Sequence, residues 1–327
     1  MKILITGSAG FIGGYLVKEL LNHGHEVMGI DNFSKYGKTE ISGYKFIEGD
    51  VKDTELLKSL AIDCDQIVAN AAMIGGISYF HKFAYDLLAE NERITASTFD
   101  AAIHAFKYGK LKKINVVSSS MVYENTVLFP TPEESRCFPP SSTYGFQKLA
   151  TEYFAKGAYE QYGLPYTIIR PFNCVGIGED KKMSHVVPDL VQKVLDGQDP
   201  LHILGLGNQI RHYTYGGDLA EGIRLCIERS GAVNQDFNLS TAESTDVLTL
   251  AQLIWKKING DKPFHYVSDE SFKYDVQKRV PDVSKAKEVL GFEAKTSLSD
   301  MLDIVISSCG KKEELKTSDF CESCKSE

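Results

Sequence analysis

The sequence predicts an α/β fold in which a doubly wound parallel sheet precedes a smaller C-terminal α/β domain. Short apolar runs alternate with helical patterns through the first 170 residues, and such alternation is typical of βαβ units. The first apolar run ends in a cluster of glycines, which allows a tight turn from a strand into a helix. The chain has 327 residues, 43% of them hydrophobic, so it can bury a full apolar core without disulfides or a metal.

The elements of this first part follow from the apolar runs and from the helical spacing between them. Each predicted strand is short and apolar, as expected for strands buried on both faces of a parallel sheet. The predicted strands cover residues 2–6, 25–30, 44–47, 66–69, 114–118 and 167–170. The predicted helices cover residues 11–22, 54–61, 81–107 and 144–162.

The rhythm of the chain changes after residue 171. Short strand-like pieces separate helical patterns, which lie near residues 185–196, 216–229, 248–258, 283–290 and 297–308. We therefore divide the chain into a first domain (1–170), a smaller second domain (171–309) and a tail (310–327). The tail is charged and Ser-rich with few apolar residues, so we expect it to be disordered.

Composition and charge exclude several classes of protein. Acidic residues outnumber basic ones 44 to 36, a balance that disfavours nucleic-acid binding. No uncharged apolar stretch approaches the ~20 residues that span a bilayer, so we expect no membrane association. The seven cysteines are scattered and odd in number, which predicts reduced thiols and a cytoplasmic location. Cys321 and Cys324 have metal-like spacing without a second ligand pair, and we predict no metal site.

The glycine cluster predicts a dinucleotide site of the Rossmann type. Gly7, Gly10 and Gly13 are spaced three apart between the first strand and the first helix. In this arrangement Gly7 allows the turn, Gly10 lets a pyrophosphate approach the backbone, and Gly13 allows close packing of helix on strand. The helix N-terminus then offers free N–H groups and the positive end of its dipole to the phosphates.

Two carboxylates at strand ends indicate which dinucleotide binds. Asp31 closes the second strand, 18 residues past Gly13. A carboxylate at this place accepts hydrogen bonds from the adenosine ribose and repels a 2′-phosphate, so NAD is favoured over NADP. Asp50 follows the third strand, where we expect it to meet the adenine or to serve only as a turn residue.

Tyr144 and Lys148 predict acid–base chemistry on a helix. They stand at i and i+4, so their side chains are neighbours on one face. A nearby ammonium lowers the pKa of a phenol and makes it a better base for a hydroxyl proton. Ser118, Ser119 and Ser120 follow the apolar run 114–117, and ligands bind at the carboxyl ends of such strands. The sequence therefore predicts a catalytic trio made of Tyr144, Lys148 and one of these three serines.

With these motifs the chain resembles the extended short-chain dehydrogenase/reductase family, which contains NAD-dependent nucleotide-sugar epimerases and dehydratases. The resemblance runs from Met1 to about Ile306. Besides the glycine loop and the catalytic trio, it is carried in order by segments 31–32, 48–50, 71–72, 170–173, 205–211 and 279–282. It implies that the first domain binds NAD and that the catalytic trio is Ser119, Tyr144 and Lys148. It also implies that the second domain mainly binds a nucleotide-diphosphate sugar, and that two copies of the chain form a homodimer through the helices 81–107 and 144–162.

The resemblance also implies a role for each matched residue. The residues implied to bind the cofactor are Gly7, Gly10, Phe11, Ile12, Gly13, Asp31, Asn32, Asp50, Val51, Ala71, Tyr144 and Lys148. The residues implied to bind the substrate are Gly76, Ser119, Ser120, Asn173, His185, Val186, Arg211 and Arg279. The two arginines are assigned to the pyrophosphate, which suits paired guanidinium groups.

Departures from the family's pattern narrow the reaction. Dehydratases of the family carry Asp-Glu after the catalytic serine or threonine, whereas this chain carries Ser120 and Met121. Fucose synthases and 3,5-epimerases use a cysteine at the position of Met121, so 3,5-epimerisation is disfavoured as well, although His185 stays a candidate acid or substrate contact. Asn70 and Glu124 also depart from the pattern, and the sequence offers no reason for either.

What remains is redox chemistry at C4 of the sugar. We predict a 4-epimerase similar to UDP-glucose 4-epimerases. The alternatives are a C4 dehydrogenase or reductase, or an epimerase of a GDP-linked manno-type sugar, toward which the Gly75-Gly76 pair points. An alternative of another class is a catalytically silent NAD-binding sensor, although such proteins usually lack the Tyr/Lys pair.

Overall fold

The computed structural model describes residues 1–75, 77–135, 137–179, 185–271 and 276–310. Gly76, residues 180–184 and the tail beyond residue 310 lie outside the described residues, and so do the predictions made for them. Across the described ranges, no helix is both long enough and apolar enough to cross a membrane.

The strands and helices lie where the apolar runs and helical patterns placed most of them. The strands are β1 (Lys2–Thr6), β2 (Glu26–Asp31), β3 (Lys45–Glu48), β4 (Gln66–Ala69), β5 (Lys113–Val117), β6 (Tyr166–Pro171), β7 (Cys174–Val175), β8 (Leu201–Leu204), β9 (Ile210–Arg211), β10 (Thr214–Tyr215), β11 (Gln235–Leu239), β12 (Thr245–Asp246) and β13 (Tyr266–Asp269). The helices are α1 (Phe11–Asn22), α2 (Thr54–Ala61), α3 (Ile77–Lys82), α4 (Ala84–Tyr108), α5 (Thr143–Tyr162), α6 (Val186–Leu195), α7 (Gly216–Glu228), α8 (Val247–Asn259) and α9 (Leu298–Gly310). Short 3-10 helices cover Ser120–Tyr123 and Ser230–Ala232, and a short π-helix covers Ala286–Leu290.

Seven parallel strands form the main sheet in the order β11-β6-β5-β4-β1-β2-β3. Alternate residues of β1 serve opposite faces, because side chains alternate along a strand. Ile3 and Ile5 pack with α1 and α7, whereas Leu4 packs with the cluster formed by α2, α4 and α5. Helices thus cover both faces, which confirms the predicted doubly wound α/β fold.

The later part of the chain builds a second, smaller core. Leu190, Leu250, Trp255 and Leu302 meet there between α6, α8 and α9. Three two-stranded sheets surround it, formed by β7 with β10, β9 with β12, and β8 with β13. Strand β11 and helix α7 nevertheless return to the main sheet, so both sides of residue 170 contribute to it. The division at residue 170 stays a prediction, in which residues 1–170 bind NAD and residues 171–309 mainly bind the nucleotide-diphosphate sugar.

Two predicted helices differ from the structure in detail. The helix expected over 81–107 is divided at Phe83, where the backbone leaves the helical region and the ring packs 4.8 Å from that of Tyr79. The pattern at 283–290 forms one wide π-helical turn over Ala286–Leu290 instead of a regular α-helix. Its αL residue, Gly291, then ends the turn.

Candidate active site

The glycine loop joins β1 to α1 in a turn that has no room for a side chain at Gly7 or Gly13. Gly7 has φ +70°, and a Cβ there would lie 2.9 Å from Cα of Ala71. A Cβ on Gly13 would lie 2.1 Å from the Gly7 carbonyl oxygen. Gly10 precedes α1 without a side-chain cap, and Phe11 and Ile12 begin the helix. The first-turn N–H groups therefore face the turn, as a diphosphate requires.

Polar side chains fasten this turn to the end of β4. The Thr6 hydroxyl accepts hydrogen bonds from the backbone N–H groups of Asn70 (3.0 Å) and Ala71 (3.1 Å). The Asn70 side-chain amide donates to the Gly7 carbonyl at 3.2 Å. This bond gives Asn70, a departure from the family's pattern, a physical role: it holds the glycine turn against β4.

Asp31 lies beside the glycine turn. Its carboxylate accepts the N–H groups of Ala9 (3.2 Å) and Phe33 (2.8 Å). A carboxylate has room for about four hydrogen bonds, so it can still accept from ribose hydroxyls. Asn32 donates to Asp50 at 3.4 Å, and the neighbouring Val51 is buried. The structure thus brings the predicted cofactor residues to one edge of the sheet.

Tyr144 lies buried beside Ser119, which follows β5. Burial raises the pKa of Tyr144 to about 12, while the neighbouring Ser119 hydroxyl and the positive charge of Arg279 oppose that rise. Ser119 also accepts the N–H of Met121 at 3.2 Å and so begins the 3-10 helix Ser120–Tyr123, in which Ser120 is buried. The phenol therefore needs a positive neighbour to act as a base near neutral pH.

Lys148 supplies a positive charge one helical turn after Tyr144. Its ammonium donates to the Val117 carbonyl at 2.9 Å and lies 6.0 Å from the centre of the Tyr144 ring. Burial lowers the pKa of Lys148 to about 8, and the charge of Glu152 opposes that shift. Glu152 in turn accepts the Ser118 hydroxyl (2.7 Å) and two N–H groups of buried Arg170 (2.8 Å each). The buried ion pair between Arg170 and Glu152 thus links α5, the helix that carries Tyr144 and Lys148, to strand β6.

The N-terminus of α5 is held by Glu124. One of its carboxylate oxygens accepts both the N–H and the hydroxyl of Ser142, each at 2.9 Å. Ser142 is the N-cap of α5 and accepts the Gly145 N–H at 3.0 Å. Glu124, the second unexplained departure, therefore positions the helix turn that carries Tyr144.

Arg279 lies near Tyr144, and Asn173 lies next to Arg279. The Arg279 guanidinium donates to the Asn173 carboxamide oxygen at 3.4 Å, and its charge acts on both Tyr144 and Tyr213. Arg211 acts on the same Tyr213, whose buried hydroxyl has no hydrogen-bond partner among the described residues. The two arginines and this phenol converge on one place, which suits a pyrophosphate.

His185 and Val186 start α6, with His185 as the N-cap. The Glu179 carboxylate accepts the backbone N–H of His185 at 2.7 Å and also bonds its imidazole. This pairing, which sequence spacing did not reveal, fixes the ring orientation of His185. Gly76 lies outside the described residues.

An apolar wall surrounds the ring of Tyr144. Its side chains come from three separate segments and are Ile74, Tyr79, Phe80, Leu87, Met121 and Val276. Phe80 stacks on Tyr144 with ring centres 4.4 Å apart and planes inclined by 10°. Sequence spacing alone could not separate such a wall from ordinary core packing, since aromatic residues at helical spacing occur in both.

The described part of the chain contains no group of three His, Cys, Asp or Glu side chains arranged to hold a metal ion. Cys321 and Cys324 lie outside it.

Comparison with known proteins identifies relatives in the same family that the sequence resembles. A family model described as the NAD dependent epimerase/dehydratase family matches residues 3–240. A curated UDP-glucose 4-epimerase from Halalkalibacterium halodurans is 30% identical over 322 residues, which cover 93% of this chain and 94% of that protein.

Solved structures of similar proteins agree with this result. A UDP-glucose 4-epimerase from Thermotoga maritima, solved with UDP-glucose, has a TM-score of 0.84 and 31% identity, covering 94% of this chain and 98% of its own. A UDP-glucuronic acid 4-epimerase from Bacillus cereus, solved with its substrate and NAD, has a TM-score of 0.84 and 28% identity over the same shares of the two chains.

Proposed function

Because this chain belongs to the NAD-dependent epimerase/dehydratase family, we propose that it is an NAD-dependent 4-epimerase of a nucleotide-diphosphate hexose, with UDP as the first nucleotide to test. The observation that carries the proposal is the contact of buried Tyr144 with Ser119, one helical turn from Lys148. The related proteins named above are 4-epimerases of UDP-sugars.

The residues at the glycine turn fit NAD. The turn is tight because a Cβ on Gly7 or Gly13 would clash with the backbone, and it brings the N-terminus of α1 close to the end of β1. The first turn of α1 then supplies N–H donors for a diphosphate. Asp31 would hold the adenosine ribose and disfavour a 2′-phosphate. Bound NAD supplies a reversible hydride acceptor. Asn32, Asp50, Val51 and Ala71 stay predicted contacts.

Epimerisation at C4 removes a hydroxyl proton and later restores it. Tyr144 would accept that proton and return it, while Ser119 holds the same hydroxyl in a hydrogen bond. The Lys148 ammonium, 6.0 Å from the centre of the Tyr144 ring, would stabilise the phenolate when the phenol loses its proton. Because one group both takes and gives the proton, the cycle needs no second base.

The second part of the chain would hold the substrate. Arg211 and Arg279 suit its pyrophosphate, and Asn173 lies within reach of Arg279. Ser120, His185 and Val186 stay predicted contacts. Met121 has no proton to give, which disfavours dehydration and 3,5-epimerisation. A GDP-linked manno-type sugar stays the alternative substrate, and the panel below includes it.

The proposal is tested by incubating the protein and NAD with UDP-, dTDP- and GDP-hexoses and identifying the products. Tyr144→Phe should lower kcat on the best substrate about 10²–10⁴-fold with little change in substrate affinity, since it keeps the ring and removes the acid–base group. Arg211→Ala should instead weaken binding about tenfold or more, through loss of a charge-assisted bond. Full turnover by Tyr144→Phe would overturn the mechanism, and conversion of no sugar in the panel would overturn the function.

We also propose that two copies associate through α4 and α5. The two helices lie side by side. The hydroxyl oxygens of Thr95 and Thr151 are 3.3 Å apart, and the ring centres of Phe99 and Phe154 are 5.7 Å apart. Several large aromatic side chains of these helices remain exposed, namely Tyr85, Tyr108, Phe146, Tyr153, Phe154 and Tyr159. A second copy of the pair would cover them as a four-helix bundle.

A cytoplasmic location is likewise a proposal. The cysteines in the described ranges, at positions 64, 137, 174, 226 and 309, are free thiols. Reduced thiols are what a reducing compartment maintains.

A further inference from the structure

The apolar wall around Tyr144 bears on which hexose the site accepts. On the proposed 4-epimerase function, Tyr144 and Ser119 act on the C4 hydroxyl. The oxygen of that hydroxyl then lies within hydrogen-bond distance of the phenol, and C4 is one covalent bond beyond it. C6 is only two covalent bonds beyond C4, or about 2.5 Å away. The substituent on C6 must therefore lie close to the surface that surrounds the Tyr144 ring.

That surface is apolar on three sides. Phe80 covers one face of the Tyr144 ring in a parallel stack, and Met121 and Val276 approach from two other segments of the chain. Met121 is almost completely buried, while Phe80 and Val276 are half-buried and so present apolar surface to the adjoining space. Among the described residues, the polar groups that act on Tyr144 are Ser119 and Arg279, and both have other roles, since Ser119 is needed at C4 and Arg279 donates to Asn173.

The wall is fixed in place by its own packing. A Cβ on Gly75 would lie 2.6 Å from Cβ of Tyr79, so only glycine lets α3 approach so closely. Tyr79 then packs on Phe83 at the break between α3 and α4, with ring centres 4.8 Å apart. This packing holds Phe80 over the ring of Tyr144. It also explains why a glycine stands at position 75.

We propose that the preferred substrate is a nucleotide-linked 6-deoxyhexose, whose C6 methyl group packs against Phe80 and Met121. A methyl group gains from burial against such a wall. A hydroxyl at the same place must leave water and meets no partner on the described side chains Phe80, Met121 and Val276, which disfavours the ordinary hexose.

The test compares matched substrate pairs on the full chain with NAD: UDP-6-deoxyglucose against UDP-glucose, and GDP-6-deoxymannose against GDP-mannose. We expect kcat/KM for C4 epimerisation to favour the 6-deoxy member of the converted pair by about 10- to 100-fold, the range by which an apolar pocket rejects an added hydroxyl. Met121→Gln places an amide beside C6 and should reduce this preference, whereas Met121→Leu, the matched control, should keep it. If Met121→Gln does not fold, Phe80→Tyr adds a hydroxyl to the same wall.

The outcomes separate the inference from the proposed function. Equal or faster turnover of the ordinary hexose overturns the 6-deoxy preference and leaves the epimerase intact. Turnover of no sugar overturns the proposed function. Calorimetry then tests the contact between C6 and the apolar wall without turnover, by comparing the binding affinities of the two members of each pair. In that case tighter binding of the 6-deoxy member supports the apolar contact, and equal binding overturns it.

Discussion

Asp31 combines two tasks in one carboxylate. It accepts the N–H groups of Ala9 and Phe33, which shapes the backbone on either side of the cofactor site. Phe33 has φ +56°, in the left-handed region that non-glycine residues seldom adopt, and the bond to Asp31 helps to hold it there. The same negative charge would meet the ribose of NAD, so a structural task and a selective one depend on one side chain.

Asp31→Ala should therefore weaken NAD binding and reduce the preference for NAD over NADP. Loss of charge-assisted bonds worth about 1.5–3 kcal/mol corresponds to roughly tenfold or more in affinity. Titration of both cofactors by calorimetry measures the change. Asp31→Asn is the matched control, because it keeps an acceptor and removes only the charge that repels a 2′-phosphate. An unchanged NAD-to-NADP ratio in both variants would remove Asp31 from the explanation of selectivity.

Asn70 and Glu124 mark the limit of prediction at this scale. The glycine turn and the Tyr144/Lys148 pair were visible in the sequence because each depends on short, regular spacing along the chain, whereas the family resemblance alone singled out Ser119 among three neighbouring serines. Asn70, by contrast, acts on Gly7, 63 residues away, and Glu124 acts on Ser142, 18 residues away. Only the fold brings such partners together, so the sequence could reveal the unusual residue but not its role.

At the scale of single elements, the capping of α5 links stability to the position of Tyr144. Ser142→Ala should lower the free energy of unfolding by about 1 kcal/mol, within the 0.5–2 kcal/mol usual for a lost N-cap. Urea denaturation at constant m-value measures the loss. Ser142→Thr keeps the hydroxyl that Gly145 and Glu124 use and should stay near wild type. Equal stability of the two variants would argue against the cap.

Strand β5 and helix α7 are joined by a buried amine. Lys113 donates to the Cys226 carbonyl at 2.7 Å near the end of α7, where a positive charge complements the helix dipole. Burial nevertheless lowers the pKa of Lys113 from 10.5 to about 8. Between these two values the unfolded chain binds more protons at this residue than the folded chain does. The contribution of Lys113 to stability therefore rises with pH over this window.

Lys113→Met removes that dependence. Its free energy of unfolding, relative to wild type, should fall by up to about 3 kcal/mol as the pH rises from 8 to 10.5, since each pKa unit corresponds to 1.36 kcal/mol. Chemical denaturation of both proteins across this pH range measures the difference between their free energies of unfolding. The contributions of the other titrating groups cancel in this difference, because both proteins contain them. A difference that stays constant with pH would show that the amine titrates normally in the folded protein.

The elements of the first 170 residues were more predictable than those that follow. A parallel strand buried on both faces leaves a continuous apolar run, and each such run from β1 to β6 was visible in the sequence. Strands β7, β9, β10 and β12 have only two residues each, too few for any pattern. The break at Phe83 was hidden because the residues on both sides of it keep helical spacing.

At the scale of the molecule, the strand order determines where the site lies. The chain adds β2 and β3 on one side of β1, then crosses to β4 on the other side. The order therefore reverses between β1 and β4, and ligands bind at such a switch point. Gly7 follows β1 and Ala71 follows β4, and their backbones approach too closely for a side chain on Gly7. A chain with a net charge of −8 can still bind a diphosphate there, because helix dipole and arginines act locally.

The exposed aromatic side chains of α4 and α5 predict that two copies of the protein associate. We expect the protein to sediment as a dimer at micromolar concentration. Tyr153, 66% exposed on α5, lies in the proposed interface, and Tyr153→Glu should raise the dimer dissociation constant at least roughly 30-fold, because a central interface tyrosine contributes about 2 kcal/mol or more. Tyr266→Glu is the matched control: this tyrosine is also exposed but lies on β13, far along the chain from both helices, and its change should leave the dimer intact. A wild-type monomer would contradict the proposed dimer. Equal dissociation of the two variants would instead place the contact between copies elsewhere than α4 and α5.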